Sequence, residues 1–478
     1  MSEAVEQSRK PEDDVDVDVK SLEAGEELVS PPKPYKLGPI SIPHYHSTYF
    51  QVFLVGFVNF LSVGMYNVLI SLGGSGQLDP TTSENANTIL YALFAFVALL
   101  SGSITNYFGP RITLSIGALG FALYGASFWS FNHNQNKGFV LFAGAACGVG
   151  AGLLWTACGT ILMSYPTESQ KGRFVSIFFA LSFLGSVVGG IIPVAENFSN
   201  KSVGAVSDGT YAALTVLMIL SGVVSLFLVN PDKIIRTDGT RVQNADRKRV
   251  SLVREFKTLY WAVNKERWIL WFLPFAFSCL FYISYQTNDF NSYFFNVRTR
   301  SVNGLLYGIS QLLGAVFLGI FLDIPFLERK YRAMIGWGIM LTTIFVVSIC
   351  GYFPMTHSQR DVPFDPPLDL KDGAVATKYM TLYFFYGMQD GMAQGFSFWL
   401  MGSLSNDPLV LSQYSGLFKV FGATASAIAF GMDGRGIPYS HMYAAYWSVS
   451  LFGCLCLIPL IFFRVNNHTT STILEPDS

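Results

Sequence analysis

Charge is scarce in this chain. Of its 478 residues only 13% are Asp, Glu, Lys or Arg, roughly half the share of an ordinary soluble domain, which excludes a surface built mainly for water. The few charges nearly cancel, 31 basic against 32 acidic. No basic cluster provides the footprint that nucleic acid requires, so nucleic acid is not expected as a partner. Histidine is equally thin: His44, His46, His133, His357, His441 and His468 fall in tails, loops or a span end, with no pair at zinc-ligand spacing. The six cysteines, Cys147, Cys158, Cys279, Cys350, Cys454 and Cys456, lie inside apolar runs, where a thiol behaves as a small hydrophobe. Neither a disulfide framework nor a metal site is implied. A Gly-x-x-x-x-Gly-Lys-Ser/Thr phosphate loop is missing, which excludes ATP hydrolysis by this chain. With no catalytic cluster either, the sequence reads as a non-enzyme without a cofactor. The first 47 residues contain PEDDVDVDVK and no basic flank followed by an apolar core, so no cleavable secretory signal is expected and the first span serves as the targeting signal.

What the chain has is long apolar sequence. Apolar residues make up 51% of it, and 42 Phe raise the aromatic share to 15%. Twelve runs, at about 48–71, 87–106, 112–131, 139–163, 174–195, 210–229, 268–288, 303–322, 333–353, 378–402, 414–432 and 441–463, are each long enough to cross a hydrocarbon core. The expected fold is an all-α polytopic membrane protein of 12 transmembrane helices in two six-helix halves, 48–229 and 268–464, embedded in a lipid bilayer. A basic linker at 230–267, including RVQNADRKRVSLVREFK, joins them. It suits either a topology-setting loop or an amphipathic helix on the inner leaflet. Residues 1–47 are acidic and poor in large apolar groups, a composition that does not fold alone, and 465–478 form a second tail.

Most of the 31 Lys and Arg fall on one side if the amino terminus is cytosolic. The positive-inside rule then places both termini in the cytosol. The same topology puts the sequons at Asn197 and Asn200, in the loop between spans 5 and 6, on the glycosylated face, and keeps Asn467 bare. Which membrane holds the protein is left open between plasma membrane and endomembrane.

Span 10 is the exception among the apolar runs. KYMTLYFFYGMQDGMAQGFSFWLMGS carries Asp390 near its middle, and an ionisable group there costs at least about 3 kcal/mol on insertion scales unless it faces a bundle interior or a wet cavity. The two halves also echo each other. After span 2 the chain reads Gly102-x-x-x-Asn106-Tyr-Phe-Gly109-Pro-Arg111, and after span 8 Gly319-x-x-x-Asp323. Small residues there suit close helix packing and the polar residues suit a latch that breaks as two halves rock. These loops resemble the Gly-x-x-x-Asp-Arg-x-Gly-Arg-Arg loop of the major facilitator superfamily, with Asn106 replacing the acid and Tyr107 the first arginine. A narrower likeness runs through span 4 and its exit, where Trp155, Gly159, Tyr165, Pro166, Gln170, Lys171, Gly172 and Arg173 match the LLW-x-x-x-G and YP-x-x-x-QKGR pattern of fungal Unc-ninety-three-like members.

The resemblance implies two six-helix halves related by an axis along the membrane normal, with spans 1, 4, 7 and 10 lining a central cavity. That would put Asp390 on the cavity wall, opposite Ala151 when Gly148-x-x-x-Gly152 is aligned with Gly387-x-x-x-Gly391. A protonatable carboxyl there suits proton-coupled transport of a small-molecule or ion substrate; the alternative is a structural acid bonded to a neighbouring span. Asn59, Asn67, Gln286, Asp289, Gln389 and Gln394 are the accompanying polar candidates, open both to helix-to-helix bonding and to a polar cavity, with Tyr285, Tyr383, Tyr386 and Trp399 as aromatic lining. Lys419, five or six residues into span 11, either snorkels to the interface or pairs with an anion. The likeness also admits a regulator or trafficking chaperone with a membrane-protein partner, because family membership alone does not fix function.

Overall fold

The computed structural model describes residues 35–37, 40–77, 80–167, 170–240, 242, 257, 259–261, 263–264, 266–360, 362–405 and 408–466. Apolar sequence in lipid must satisfy its backbone internally, and helices do so segment by segment. Ten helices among these residues are long and apolar enough to cross a membrane. Two less apolar ones complete the twelve: span 2, built of Thr81–Ala98 and Ser101–Phe108, and span 10, Ala374–Leu404. Polar side chains dilute both, Glu84 and Asn87 in the first and Gln389, Asp390 and Gln394 in the second.

Helix starts follow capping chemistry that the sequence carries. Ser47, Asn136, Ser207 and Asn296 each turn a side-chain oxygen to the backbone N–H three residues on, closing one of the orphan donors at a helix start. The Asn296 cap sets span 8 at Val297–Leu322, six residues earlier than hydropathy alone indicates, so Arg298 and Arg300 belong to the helix.

Spans 1 and 7 depart from regular geometry where the halves meet. Span 1 breaks at Ser62, between Thr48–Leu61 and Val63–Ser71. Span 7 runs as Ile269–Phe281 and then widens into a π-helix, Tyr285–Ser292, a form that often accompanies functional sites. The widening turns Gln286, Asn288, Asp289 and Asn291 inward, all of them buried.

Packing repeats between halves. A Cβ on Gly148 of span 4 would lie 2.3 Å from the Leu90 carbonyl of span 2; on Gly391 of span 10 it would lie 1.9 Å from the Gln311 carbonyl of span 8. Spans 2 and 4, and their counterparts 8 and 10, are therefore in backbone-to-backbone contact that only glycine permits. One apolar core belongs largely to spans 1–6, and a second to spans 7–12. The halves join chiefly through span 2 on span 11 and span 5 on span 8.

Ahead of span 1, Tyr35–Leu37 pairs antiparallel with Ile40–Ile42. From the linker, the Arg236 guanidinium donates to the Ser164 carbonyl, 2.7 Å. Residues 243–256 of the linker and Asn467 lie outside the described residues.

Candidate functional site

Asp390 sits in the contact between spans 10 and 8 that Gly387 and Gly391 make possible. Only 2% of it is exposed. Oδ1 accepts from the Tyr282 hydroxyl at 2.7 Å and from Gln394 Nε2 at 2.9 Å. Oδ2 accepts from Gln311 Nε2 and, at 3.4 Å, from the Tyr307 hydroxyl. Four neutral donors from spans 7, 8 and 10 thus surround the carboxyl, and no ion pair to it is present among the described residues. Tyr307 also donates to Gln286 Oε1 at 3.1 Å, which joins the π-helical part of span 7 to the cluster.

Beside this cluster a small cavity lies between the halves, lined by Asn67, Tyr91 and Ser186 from one half and by Tyr307, Gln311 and Asp390 from the other. About 40 Å³ of it is open to water centres. A single water needs roughly 10–15 Å³ on that measure, so the space takes a few waters and no sugar-sized solute. The halves touch each other on either side of it.

One end is closed by polar groups gripping backbone. Arg300, 2% exposed, donates Nε to the Leu72 carbonyl at 2.8 Å and a terminal nitrogen to the Gly73 carbonyl at 2.7 Å. The Gly74 N–H donates to Asn288 Oδ1, and both Asn291 Nδ2 and the Tyr383 hydroxyl donate to the Ser71 carbonyl, all at 2.8 Å. The Gly73–Gly76 turn holds positive φ throughout, including Ser75. A Cβ on Gly73 would meet the Thr287 carbonyl at 2.2 Å.

The other end is closed by rings. Phe179 of span 5 and Phe398 of span 10 lie 4.4 Å apart by centroid, and the Lys419 ammonium stands 3.7 Å above the Trp155 ring. Lys419 therefore reaches across to span 4.

The other sequence candidates separate. Asn67 lines the cavity and donates to Ser186 at 3.3 Å. Asn59 bonds Ser182 and ties span 1 to span 5 within one half. Gln389 turns away from the cavity and accepts from Tyr446 of span 12 at 3.3 Å. Asp289 belongs to another cluster near the Arg300 end, with Arg360 and Asp433. Tyr285 and Tyr386 are buried in an aromatic core of the second half.

Of the loop candidates, Asp323 and Arg111 are exposed, Gly109 takes φ of 81° at a helix end, and a Cβ on Gly319 would meet open space. No described helix packs on Gly319 in this conformation. Gly102 and Asn106 lie within Ser101–Phe108, with the Asn106 side chain outside the described ones. The two sequons also differ. Asn197 is buried, its amide donating to the Pro193 carbonyl and to Thr210, whereas Asn200 is part-exposed with Oδ1 accepting from the Ser202 hydroxyl.

The sequence alone does not single out Tyr282, Tyr307, Gln311, Arg300, Arg360, Asp433 or Glu84. A signal exists for two of them: Tyr307 and Gln311 stand four apart in a glycine-bearing span, one helix face opposite Asp390. Hydropathy starts span 8 too late to include Arg300.

Known proteins share this architecture. The family model described as Major Facilitator Superfamily matches residues 52–430. An UNC93-like protein of Schizosaccharomyces pombe is 37% identical over 91% of this chain and 86% of its own. UNC93-like protein 1 of Arabidopsis thaliana is 33% identical over 93% and 94%. Among solved structures, a D-xylose–proton symporter superposes with a TM-score of 0.58 at 15% identity, covering 88% of this chain and all of that one, a likeness of fold.

Proposed function

The chain belongs to the major facilitator superfamily, in its UNC93-like branch, and from that premise we propose that it carries a small solute across a membrane by alternating access, with Asp390 as the proton-coupling group. The observation that carries this reading is the Asp390 cluster itself: a carboxyl ringed by four neutral donors, with no cation bonded to it among the described residues, on the wall of a cavity between the halves. A structural acid would be bonded to neighbouring spans in the same way, and the cavity between the halves beside Asp390 is what favours the coupling role.

In alternating access the Arg300 end faces the outside and the Phe179–Phe398 end the cytosol, following the Lys and Arg distribution. Opening either end enlarges the cavity on that side and exposes Asp390, and closure returns it to the dry cluster. The proton moves between water and Oδ1 or Oδ2, and Tyr282, Tyr307, Gln311 and Gln394 hold the carboxyl in place in either state. The donor-rich cavity suits a neutral polar solute or a small cation.

The test compares solutes, potassium included, inside cells and in medium for cells lacking the protein, carrying it, or carrying Asp390→Asn at equal abundance. One solute should shift on deletion and fail to recover with Asp390→Asn. Full recovery with Asp390→Asn overturns the coupling role. No solute change, together with a stoichiometric membrane-protein partner in mild detergent, would instead favour a regulator.

A further inference from the structure

Near the Arg300 end, and separate from Asp390, two carboxyl groups share one cation. Asp433 ends span 11 and Asp289 lies on the π-helical part of span 7; both are buried. Arg360 arrives from the connection between spans 9 and 10 and is held by the Ile437 carbonyl at 2.8 Å and by the Tyr439 ring, 4.5 Å from its guanidinium carbon.

The two acids are not treated alike. Asp433 is fully served: Oδ1 accepts from Arg360 at 2.5 Å, and Oδ2 accepts from the Ser284 hydroxyl at 2.8 Å and Asn288 Nδ2 at 3.0 Å. Asp289 has one long contact to Arg360 at 3.5 Å, and its Oδ2 is buried with no hydrogen-bond partner. Both carboxyls reach the same Arg360 nitrogen through Oδ1, at 2.5 Å for Asp433 and 3.5 Å for Asp289. Asp289 Oδ2, buried without a partner, has no donor to stabilise a charge and is the place for a proton. Glu84 of span 2, also buried, lies against Gly434 beside Asp433, and among the described residues Tyr285 of span 7 and Tyr439 of span 12 also face the pair. One guanidinium cannot balance both aspartates if both are ionised, and an uncompensated buried charge is costly.

A metal cation fits less well. Among the described residues no group of three or more His, Cys, Asp or Glu is arranged to hold a metal. Ser284 and Asn288 also point hydrogens, not lone pairs, at Asp433.

We propose that Asp289 and Asp433 form a second proton-binding site, with the proton on Asp289 and the charge on Asp433 facing Arg360, and that its occupancy holds the adjoining inter-half latch closed. Asn288 is the link: its Nδ2 donates to Asp433 while its Oδ1 accepts from the Gly74 N–H of the other half. Removing the proton sets two anions against each other beside one cation, and relief by separation pulls on Asn288 and frees Gly74. The consequence for transport rests on the alternating-access reading; the site itself does not.

The experiment uses the full chain in lipid vesicles and needs no substrate. Asp390→Asn serves as the background for infrared spectra, so that the Asp390 carboxyl adds nothing to them. At neutral pH these spectra should contain a protonated-carboxyl component that is lost when Asp289→Asn is added. It should also be lost on adding Asp433→Asn, where Asp289 becomes the sole anion for Arg360. Both replacements are isosteric, so a folding failure in one leaves the other. Hydrogen exchange of amides 72–77, corrected for the intrinsic pH dependence, should rise at alkaline pH in the wild type and stay flat in Asp289→Asn, which keeps the site neutral. A component that persists undiminished in either folded Asn variant overturns the site. Identical exchange curves for wild type and Asp289→Asn overturn its link to the latch. Neither readout depends on solute movement, so a failure of the transport reading is distinguishable from a failure of the site.

Discussion

The two ends of the bundle are closed by different chemistry. At the Arg300 end, directional hydrogen bonds run from side chains of the second half to backbone carbonyls of a strained glycine turn in the first. At the Phe179–Phe398 end the contact is ring on ring and ammonium on ring. Directional bonds to buried backbone are made or lost together, and a lost one leaves an unserved carbonyl at about 1–3 kcal/mol. Ring contacts slide, and each is worth roughly 0.5–2 kcal/mol. On the alternating-access reading the first end would act as a latch and the second as a yielding contact.

The contrast between the ends is most open to attack at Arg300. Arg300→Met should weaken closure of its end by roughly 2–5 kcal/mol, because the Leu72 and Gly73 carbonyls lose their donors. Protection of amides 72–77 against hydrogen exchange should then fall by about thirtyfold or more. Unchanged protection would mean that the latch is held elsewhere.

A second, smaller effect is expected from acid. Asp369, in the connection between spans 9 and 10, is partly buried, which pushes its carboxyl up; the Arg298 guanidinium, the Lys371 N–H and Asn296 Nδ2 outweigh this and hold it down at about 2. Its folded value lies below the unfolded one near 4. The stabilisation is therefore complete above about pH 4 and is lost as pH falls toward 2, on the order of 1–2 kcal/mol. Asp369→Asn should flatten that part of a pH-dependent unfolding curve. If wild type and variant curves stay parallel, the ion pair contributes nothing.

At the yielding end, Trp155→Leu should cost only ~1 kcal/mol, seen as about fivefold faster acylation of Lys419 by an amine reagent. A hundredfold change would make that end a latch as well. Orientation has its own check, with little effect on stability: Asn200→Gln should remove a glycan's mass while the buried Asn197 carries none. A protein bare at both sites would turn the proposed topology over.

Much of the fold is legible from the residues. The twelve apolar runs mark the spans, because a bilayer imposes length and apolarity on any segment that crosses it. The pairing of Gly148-x-x-x-Gly152 with Gly387-x-x-x-Gly391 anticipates the matched packing of span 4 on span 2 and of span 10 on span 8. Asp390 stands out because a carboxylate is expensive in an apolar run, and Gln394 follows from helical spacing. Its remaining partners do not follow: Tyr282, Tyr307 and Gln311 lie 108, 83 and 79 residues away. The polar candidates Asn59 and Asn67, both on span 1, look equivalent in sequence and both bond a serine of span 5, yet only Asn67 also lines the cavity.

By itself, then, the sequence determined the membrane class, the two sextets of spans and the anomaly of one mid-span acid, since these depend on composition and on spacing along a single helix. Tertiary structure alone decided that Arg300 caps a turn 223 to 228 residues distant, that Asp289 joins Asp433 and Arg360 and not Asp390, and that Lys419 meets a ring. The π-turn of span 7 places Asp289, and all three contacts arise from helix-to-helix packing that no local pattern encodes.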